Sequence, residues 1–580
     1  MPVHNVIFIK RDNIVTKFFS KTLSLEFATI LLSFYFALIF NFPFLHETYL
    51  DLVKLDNFDL AYFISLPLFL TSVFIVLFSL LPKRVIYKTV LMILIFLSAI
   101  FCYASSSYGI IFDYGMVENM AETSTSEAFT YLNSSAILFV TLLIITPLAI
   151  LFKINPKQNT FKVSVNKRLK LISPTLAIFF IIVFSLYSSY ASVNRNNREL
   201  VKYIVPIPTL ISSYKYVNRN YFYEPTVFKL LDETPTLKTL NNKDKNVIVM
   251  IVGETARAKN FSLNGYPKQT NEYTEKLNIQ SFQQMYSCGT ATAVSVPCMF
   301  SLLNKEQFNK RSASSQQNLL DIVELAGVDV LWIDNNEGCK GVCKRVKTIN
   351  IDKNKSNPLC DGDYCFDEIL LTQLDNKLAN LSHQTTLIVL HLMGSHGPTY
   401  YRRYPHKFAT FLPDCQQSDI QNCTSEQLVN TYDNTIHYSD YVIAEVVNKL
   451  TSFTNENAQT VNAEMIYVSD HGESLGEHGL YLHGLPYAIA PSEQTHIPML
   501  FWSNNITSNM NTDCALESAN TSFNHDNMFH SMLGLLNVES STYQTKFDIF
   551  NSCNLNTLDI AKNLLPINES NKKENDVILK

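Results

Sequence analysis

Five long apolar stretches occupy the first third of the chain, at roughly 23–44, 60–81, 86–106, 135–152 and 171–189. Each approaches the ~20 residues that a helix needs to cross a bilayer. Core helices of a water-soluble domain rarely come five together with almost no internal charge, so the pattern predicts transmembrane helices. Beyond residue 240 the pattern changes. Short runs rich in Val and Ile, at 246–253, 328–334, 385–392 and 464–469, predict strands. Helical patterns at 314–326, 366–380 and 426–452 lie between them. Such alternation predicts a largely parallel sheet with helices on both faces.

The connecting loops set an orientation. Lys10, Arg11, Lys17 and Lys21 precede the first run, Lys83, Arg84 and Lys88 edge the second loop, and Lys153, Lys157, Lys162, Lys167, Arg168 and Lys170 fill the fourth. The first loop is acidic (Glu47, Asp51, Asp56, Asp59, against Lys54), and the third, Asp113 to Glu127, has no Lys or Arg. The positive-inside rule then places the N-terminus in the cytoplasm and everything after residue 190 outside. No small-residue cleavage site follows the first run, which predicts an anchor and not a removed signal peptide.

Cysteine usage agrees. Of eleven cysteines, Cys102 lies in the third run and the other ten all follow residue 287. Close neighbours predict Cys288–Cys298, Cys339–Cys343, Cys360–Cys365 and Cys415–Cys423, with Cys514–Cys553 by elimination, in an oxidising compartment. A zinc ribbon is excluded because no C-x-x-C pair occurs. The net charge of −5 carries no nucleic-acid signature. The predicted organisation is a transmembrane domain at 1–190, an interfacial linker at 191–240, a catalytic α/β domain at 241–566 and a flexible tail at 567–580. In the linker, Tyr214, Tyr216, Tyr221, Phe222 and Tyr223 suit a membrane–water interface.

Sites in open α/β sheets gather beyond the carboxyl ends of strands. There the chain puts Glu254, then Asp334, Asn335 and Asn336 with Lys340 beyond, then His391 and His396, then Asp470, His471 and later His483. An Asp-His pair alone is often a loop hydrogen bond. With Glu254 at a second strand end, it predicts a zinc or manganese cluster. A hydroxyl-rich segment, Ser287 to Met299, offers a nucleophile held by a disulfide, but Thr290, Thr292 and Ser295 are equal candidates. His391, His437, His478, His496, His525 and His530 are expected to be structural hydrogen-bonders.

Four ordered motifs, Val252-Gly253-Glu254-Thr255-Ala256-Arg257, Cys288-Gly289-Thr290-Ala291-Thr292, Gly394-Ser395-His396-Gly397-Pro398 and Ser469-Asp470-His471-Gly472-Glu473-Ser474, together resemble the phosphoethanolamine transferases. The resemblance spans nearly the whole chain. It looks nearest to the lipid A enzymes, which include the mobilised colistin-resistance enzymes. Cys339 and Cys343 depart from some of the latter and point toward a chromosomal enzyme.

The resemblance implies a five-helix membrane domain in the bacterial inner membrane and a periplasmic domain of alkaline-phosphatase/sulfatase-like fold. It implies zinc held by Glu254, Thr292, Asp470 and His471, with a second zinc a further option. Thr292 would be the nucleophile, with His396 and His483 lining the pocket. Lys340 would contact phosphate, and Asn119, Thr123 and Glu127 the ethanolamine headgroup. The donor would be phosphatidylethanolamine and the acceptor a lipid A phosphate, within a monomer surrounded by membrane lipids. A threonine hydroxyl is a weak nucleophile until its pKa is lowered and its oxygen oriented. Ping-pong transfer and lower polymyxin susceptibility are the expected consequences. Three alternatives stay open: another acceptor (core heptose, periplasmic glucan or protein), a sulfatase or phosphodiesterase, and a non-enzymatic sensor. Against the second, Ser295-Val296-Pro297-Cys298-Met299 has Met where a sulfatase needs Arg, and Gly253-Glu254 stands where paired aspartates are expected.

Overall fold

The computed structural model describes residues 22–53, 59–81, 84–123, 125–154, 161–187, 189–190, 193, 198–222, 227–238, 245–418, 420–456, 461–504 and 520–551. The basic residues before the first run, the tail, and Cys514 and Cys553 lie outside them. The chain divides into two units, residues 1–120 with 131–223, and residues 121–130 with 224–580.

Local capping starts three of the long helices of the first unit. Ser24 accepts from Phe27 N ahead of α1 (Leu25–Tyr35), and α2 (Phe42–Val53) follows a π-helical turn. Asp59 accepts from Tyr62 N ahead of α3 (Leu60–Ser79), and α4 (Arg84–Tyr108) comes next. Two short helices, α5 (Tyr114–Glu122) and α6 (Thr125–Thr130), the second of them grouped with the second unit, precede Asn133, which accepts from Ala136 N to start α7 (Ser134–Phe152). The last long helix is α8 (Phe161–Ser185). These side chains satisfy amides that have no partner within the helix.

Among the described residues, α3, α4, α7 and α8 are each long and apolar enough to cross a membrane, and α1 with α2 makes a fifth span if the bent pair counts as one. The expected single helix over 23–44 is thus broken, with a bend of 52°. Asn41 is the cause. Its buried Nδ2 donates to Phe36 O at 2.8 Å and Val205 O at 2.9 Å, and its Oδ1 accepts from Val205 N at 2.9 Å. Further on, α9 (Ile207–Val217) leaves Tyr214 exposed, as are Tyr221 and Phe222 just beyond it.

The second unit is built on an eight-stranded sheet. Its strands are β1 (Lys245–Gly253), β2 (Gln280–Tyr286), β3 (Asp329–Asp334), β4 (Lys347–Asn350), β5 (Thr385–His391), β6 (Val461–Ser469), β7 (His496–Ser503) and β8 (Phe523–Asn524). Their spatial order is β8-β2-β7-β6-β1-β5-β3-β4. From β6 to β4 all pairs are parallel, while β7 runs antiparallel to both β6 and β2.

Alternation along β1 sorts the core. Ile248, Met250 and Val252 face a cluster with Leu319 and Ile322 of α11 (Leu319–Leu325) and with Met528 and Met532 of α14 (Asp526–Leu535). α10 (Thr292–Met299) precedes α11, and α12 (Ile369–Leu378) and α13 (Ser425–Glu456) come between α11 and α14, α13 packed on β6. Register decides function here. Gly253 pairs with Ser469, Val252 with His391 and Asp334 with His391, so the three parallel neighbours of the centre end level. Everything next in sequence emerges on one edge.

Candidate active site

Glu254 leaves β1 fully buried, and its two oxygens are separately engaged. Asn336, two residues past β3, donates from Nδ2 to Glu254 Oε2 at 2.8 Å and to Leu392 O at 2.8 Å. The Thr255 hydroxyl donates to Glu254 Oε1. Thr255 sits in the left-handed region, φ 58°, a costly place for a β-branched residue. That conformation aims Thr255 N at Asp470 Oδ1, 3.0 Å away.

Asp470 and His471 follow β6. Asp470 Oδ1 also accepts from His471 N at 2.7 Å, whereas Oδ2 is buried with no hydrogen-bond donor among the described residues. His471 Nδ1 lies 2.9 Å from Gly472 O, which only accepts, so Nδ1 carries the proton. Nε2 then faces Asp470 Oδ2 at 3.3 Å and Glu254 Oε1 at 3.5 Å. Burial works to lower the His471 pKa, but the Asp470 and Glu254 carboxylates outweigh it and hold it raised.

Thr292 completes the group. It begins α10 after an extended Ala291, so its hydroxyl sits at the positive end of the helix. Thr292 Oγ1 is 3.3 and 3.2 Å from the two Glu254 oxygens and 3.3 Å from His471 Nε2. Its rivals are committed elsewhere: Thr290 Oγ1 donates to Leu485 O at 2.5 Å and Ser295 Oγ to Ala291 O at 2.9 Å. The segment is closed by Cys288–Cys298.

Glu254, Asp470 and His471 offer ligand atoms within 4.8 Å of one another, all buried. With Thr292 they form three oxygens and one nitrogen converging on a buried point. A carboxylate oxygen without a donor beside a bare imidazole nitrogen can hold a cation, and that donor set fits zinc. Other carboxyl and cysteine residues form a second close group, Cys288, Cys298 and Asp526, but the first two are spent in the disulfide.

The histidine pair lies alongside. The His483 ring is 4.4 Å from that of His471 and 5.7 Å from that of His396. His483 Nδ1 pairs with Glu473 Oε2 at 3.1 Å. Burial, with the neighbouring His471, pushes the His483 pKa down to about 3, and burial pushes His396 down to about 4. Arg403 donates from Nε to His396 O at 2.7 Å.

Behind the cluster, Asp334 Oδ2 pairs with His391 Nδ1 at 3.0 Å and accepts from Trp332 Nε1 at 2.8 Å, and its Oδ1 accepts from Asn336 N at 3.1 Å. This pair anchors the turn that carries Asn336.

The structure keeps Lys340 in its own turn, φ 49°, closed by Cys339–Cys343, with Nζ donating to Glu337 O at 3.4 Å. Asn119 lies on α5 in the first unit; Thr123 lies between α5 and α6, and Glu127 on α6. Cys360–Cys365 and Cys415–Cys423 are bridged, and Cys102 is free and buried. Sequence reasoning did not assign roles to Asn336, Asp334 or Thr255. Asp334 and Asn336 were marked only by their place at and just past the end of β3, and nothing local marks Thr255. His391, His496 and His530 hold structural hydrogen bonds, to Asp334, Gln283 O and Gln544 N.

Comparison with known proteins places this arrangement. The sulfatase family profile matches residues 246–538. The profile described as phosphoethanolamine transferase EptA/EptB matches residues 70–221. The chain is 37% identical over 532 residues to phosphoethanolamine transferase EptA of Escherichia coli strain K12, covering 90% of this chain and 96% of that protein. It is 34% identical over 494 residues to phosphatidylethanolamine transferase Mcr-1 of Escherichia coli, covering 83% and 89% respectively. The solved integral membrane lipooligosaccharide phosphoethanolamine transferase A from Neisseria meningitidis superposes with a TM-score of 0.85 at 34% identity, covering 92% of this chain and 99% of that one.

Proposed function

The chain belongs to the phosphoethanolamine transferase family, and from that premise we propose that it moves phosphoethanolamine from phosphatidylethanolamine to a lipid A phosphate through Thr292, at the periplasmic face of the inner membrane. The observation that carries the reading is the placement of Thr292 Oγ1 within 3.3 Å of both Glu254 and His471 at the head of α10. Zinc, held by Glu254, Asp470, His471 and Thr292, would lower the hydroxyl pKa and draw charge from the phosphoryl oxygens.

Thr292 Oγ bonds to phosphorus, and the phosphorus–oxygen bond to diacylglycerol breaks. The hydroxyl proton has an acceptor in Glu254 at 3.2 Å. The diacylglycerol oxygen takes up a proton, and His396 is its candidate donor once an anionic phosphodiester has arrived to offset the burial that keeps the imidazole neutral. A lipid A phosphate oxygen then attacks the phosphorus, and Thr292 leaves and regains its proton. Lys340 contacts phosphate in this reading, and Asn119, Thr123 and Glu127 hold the ethanolamine. The residue 191–240 segment serves as the interfacial linker between the membrane domain and the catalytic domain.

The test is lipid A mass spectrometry on a Gram-negative host without its own transferase, expressing this chain or its Thr292→Ala variant. The expected result is a phosphoethanolamine-sized increase with the wild type alone, accompanied by lower polymyxin susceptibility. Modification by Thr292→Ala would remove Thr292 as nucleophile. Donor cleavage without a lipid A product would move the acceptor to core sugars or glucans.

A further inference from the structure

His525 stands outside every motif that carries the family resemblance, yet it touches both halves of the proposed site. It precedes α14, and its ring is fully buried. Nδ1 accepts from Cys288 N at 3.2 Å, and Nε2 lies 3.0 Å from Ser469 O. A backbone amide only donates and a carbonyl only accepts. Nδ1 must therefore be bare and Nε2 protonated, which fixes the ring as one neutral tautomer. Its own backbone N donates to Tyr286 O at 3.1 Å, tying it to the end of β2.

The two partners are the roots of the two halves. Cys288 opens the bridged segment that delivers Thr292 four residues later, and its disulfide to Cys298 ties that root to the far end of α10. Ser469 is the last residue of β6, immediately before Asp470 and His471. Ser469 Oγ donates to His471 O and accepts from Ala256 N, each at 2.9 Å, so a displacement of Ser469 reaches the residues after β1 as well. No strand pairing joins Cys288 to Ser469: β2 and β6 are separated by β7. One imidazole spans that gap.

We propose that His525 is a positioning residue of the transfer reaction, which sets the separation between Thr292 and the Glu254, Asp470 and His471 cluster by holding Cys288 N and Ser469 O at the width of one ring. The proposal rests on Thr292 being the nucleophile. In-line displacement is sensitive to such a separation, since ~1 Å of misplacement can cost ~100-fold in rate. In the proposed function Lys340, Asn119, Thr123 and Glu127 hold the substrate, so the separation enters kcat and leaves KM alone.

The experiment uses the purified full-length protein in detergent micelles, with phosphatidylethanolamine as donor and lipid A as acceptor, and measures kcat, KM for the donor, thermal midpoint and bound zinc. His525→Phe fills the ring volume and removes both bonds. His525→Asn can place an oxygen where Nδ1 was and keep the Cys288 bond, while His525→Gln can place an amide where Nε2 was and keep the Ser469 bond. The expected result for His525→Phe is a kcat lower by ~10–100-fold with KM within about twofold of wild type. His525→Asn and His525→Gln should each recover part of that loss. Wild-type kcat in His525→Phe overturns the proposal. So does a loss that only tracks the folded fraction, or Asn and Gln variants no better than Phe. If His525→Phe does not accumulate, the Asn and Gln variants carry the same comparison against wild type. An active Thr292→Ala control would overturn the nucleophile assignment and this proposal with it, whereas an inactive control beside an unaffected His525→Phe overturns this proposal alone.

Discussion

Gly394 is a position where a single methyl group should press directly on the backbone of a cluster residue, Glu254. It has φ 52°, and a Cβ built on it would meet Glu254 O at 2.6 Å, with Glu254 Cβ and N both at 3.1 Å. Those atoms belong to β1's continuation and cannot rotate away. Ordinary contact begins near 3.4 Å, so roughly 0.8 Å must be found by moving either Glu254 or Gly394. Moving Gly394 strains its N–H bond to Asp367 Oδ2 and the bond from Ser395 N to Glu254 O. The left-handed conformation costs an alanine roughly 1–2 kcal/mol, and overpacking typically adds about 1–3 kcal/mol. Gly394→Ala should therefore lose about 2–5 kcal/mol. Gly265 supplies the control, because it also has positive φ, 92°, but nothing lies within 4 Å of the place its methyl group would take. Gly265→Ala should lose only the conformational share, about 1–2 kcal/mol. The assay is thermal unfolding of the full-length variants with and without added zinc, where each kcal/mol is worth roughly 2–4 °C in a domain of this size. Gly394→Ala should also bind zinc at least ~10-fold more weakly, as supporting-contact changes do. Equal losses for the two variants, with equal zinc affinity, would refute the claim that the close approach to Glu254 matters.

Asn336→Leu keeps the volume but leaves Glu254 Oε2 without its 2.8 Å donor. The expected outcome in a competition titration against a chelator is a zinc affinity ~10–100-fold lower. Burial works to raise the Asp334 pKa, but its pairing with His391 and its other donors hold it down to about 2, while Asp334 in turn keeps His391 raised against burial. The carboxylate's contribution is present above its ordinary value near 4 and lost as pH falls toward 2. The imidazolium's is present below about 6.5 and lost as pH rises through the raised value. Asp334→Asn should thus be less stable than wild type by on the order of 3 kcal/mol near pH 5–6, with a deficit that shrinks once pH has risen through the raised His391 value, measured by denaturant unfolding across the pH range. A deficit that does not change with pH would mean the pair is not ionised.

How far the fold could be read depended on where each strand sits. The β1, β3, β5 and β6 strands lie in the parallel centre, and each contains a short apolar run, in β6 only over residues 465–468. The flanking β2 and β7 were not legible in that way. The sequence of β2, Gln280-Ser281-Phe282-Gln283-Gln284-Met285-Tyr286, mixes exposed and buried positions near the sheet's end. In β7, Pro498 argues against a central strand, because it cannot donate to a ladder. The structure accommodates it with a register shift between Ile497 and Met499 at the β2 side. The break at Asn41 escaped for a different reason: its partner, Val205, is 164 residues away, and no local pattern reports it.

The same division runs through the site. Glu254, Asp470 and His471 were legible because a parallel sheet delivers the residues after its strands to one edge, and register alone brings Gly253 and Ser469 level. Thr292 was not separable from Thr290 or Ser295 by spacing, since three hydroxyls within six residues are chemically alike. Their separation comes from the start of α10: Thr290 is drawn to Leu485 O before the helix, Ser295 bonds back to Ala291 O within it, and only Thr292 stands at the first turn with its oxygen turned to Glu254 and His471. Asn336, Thr255 and His525 act by direction as well as by place. Thr255 is an ordinary threonine until its φ of 58° swings its amide to Asp470. A sequence therefore exposes the groups that a sheet edge collects, while the residues that hold those groups at bonding distance become visible only when side-chain directions are known.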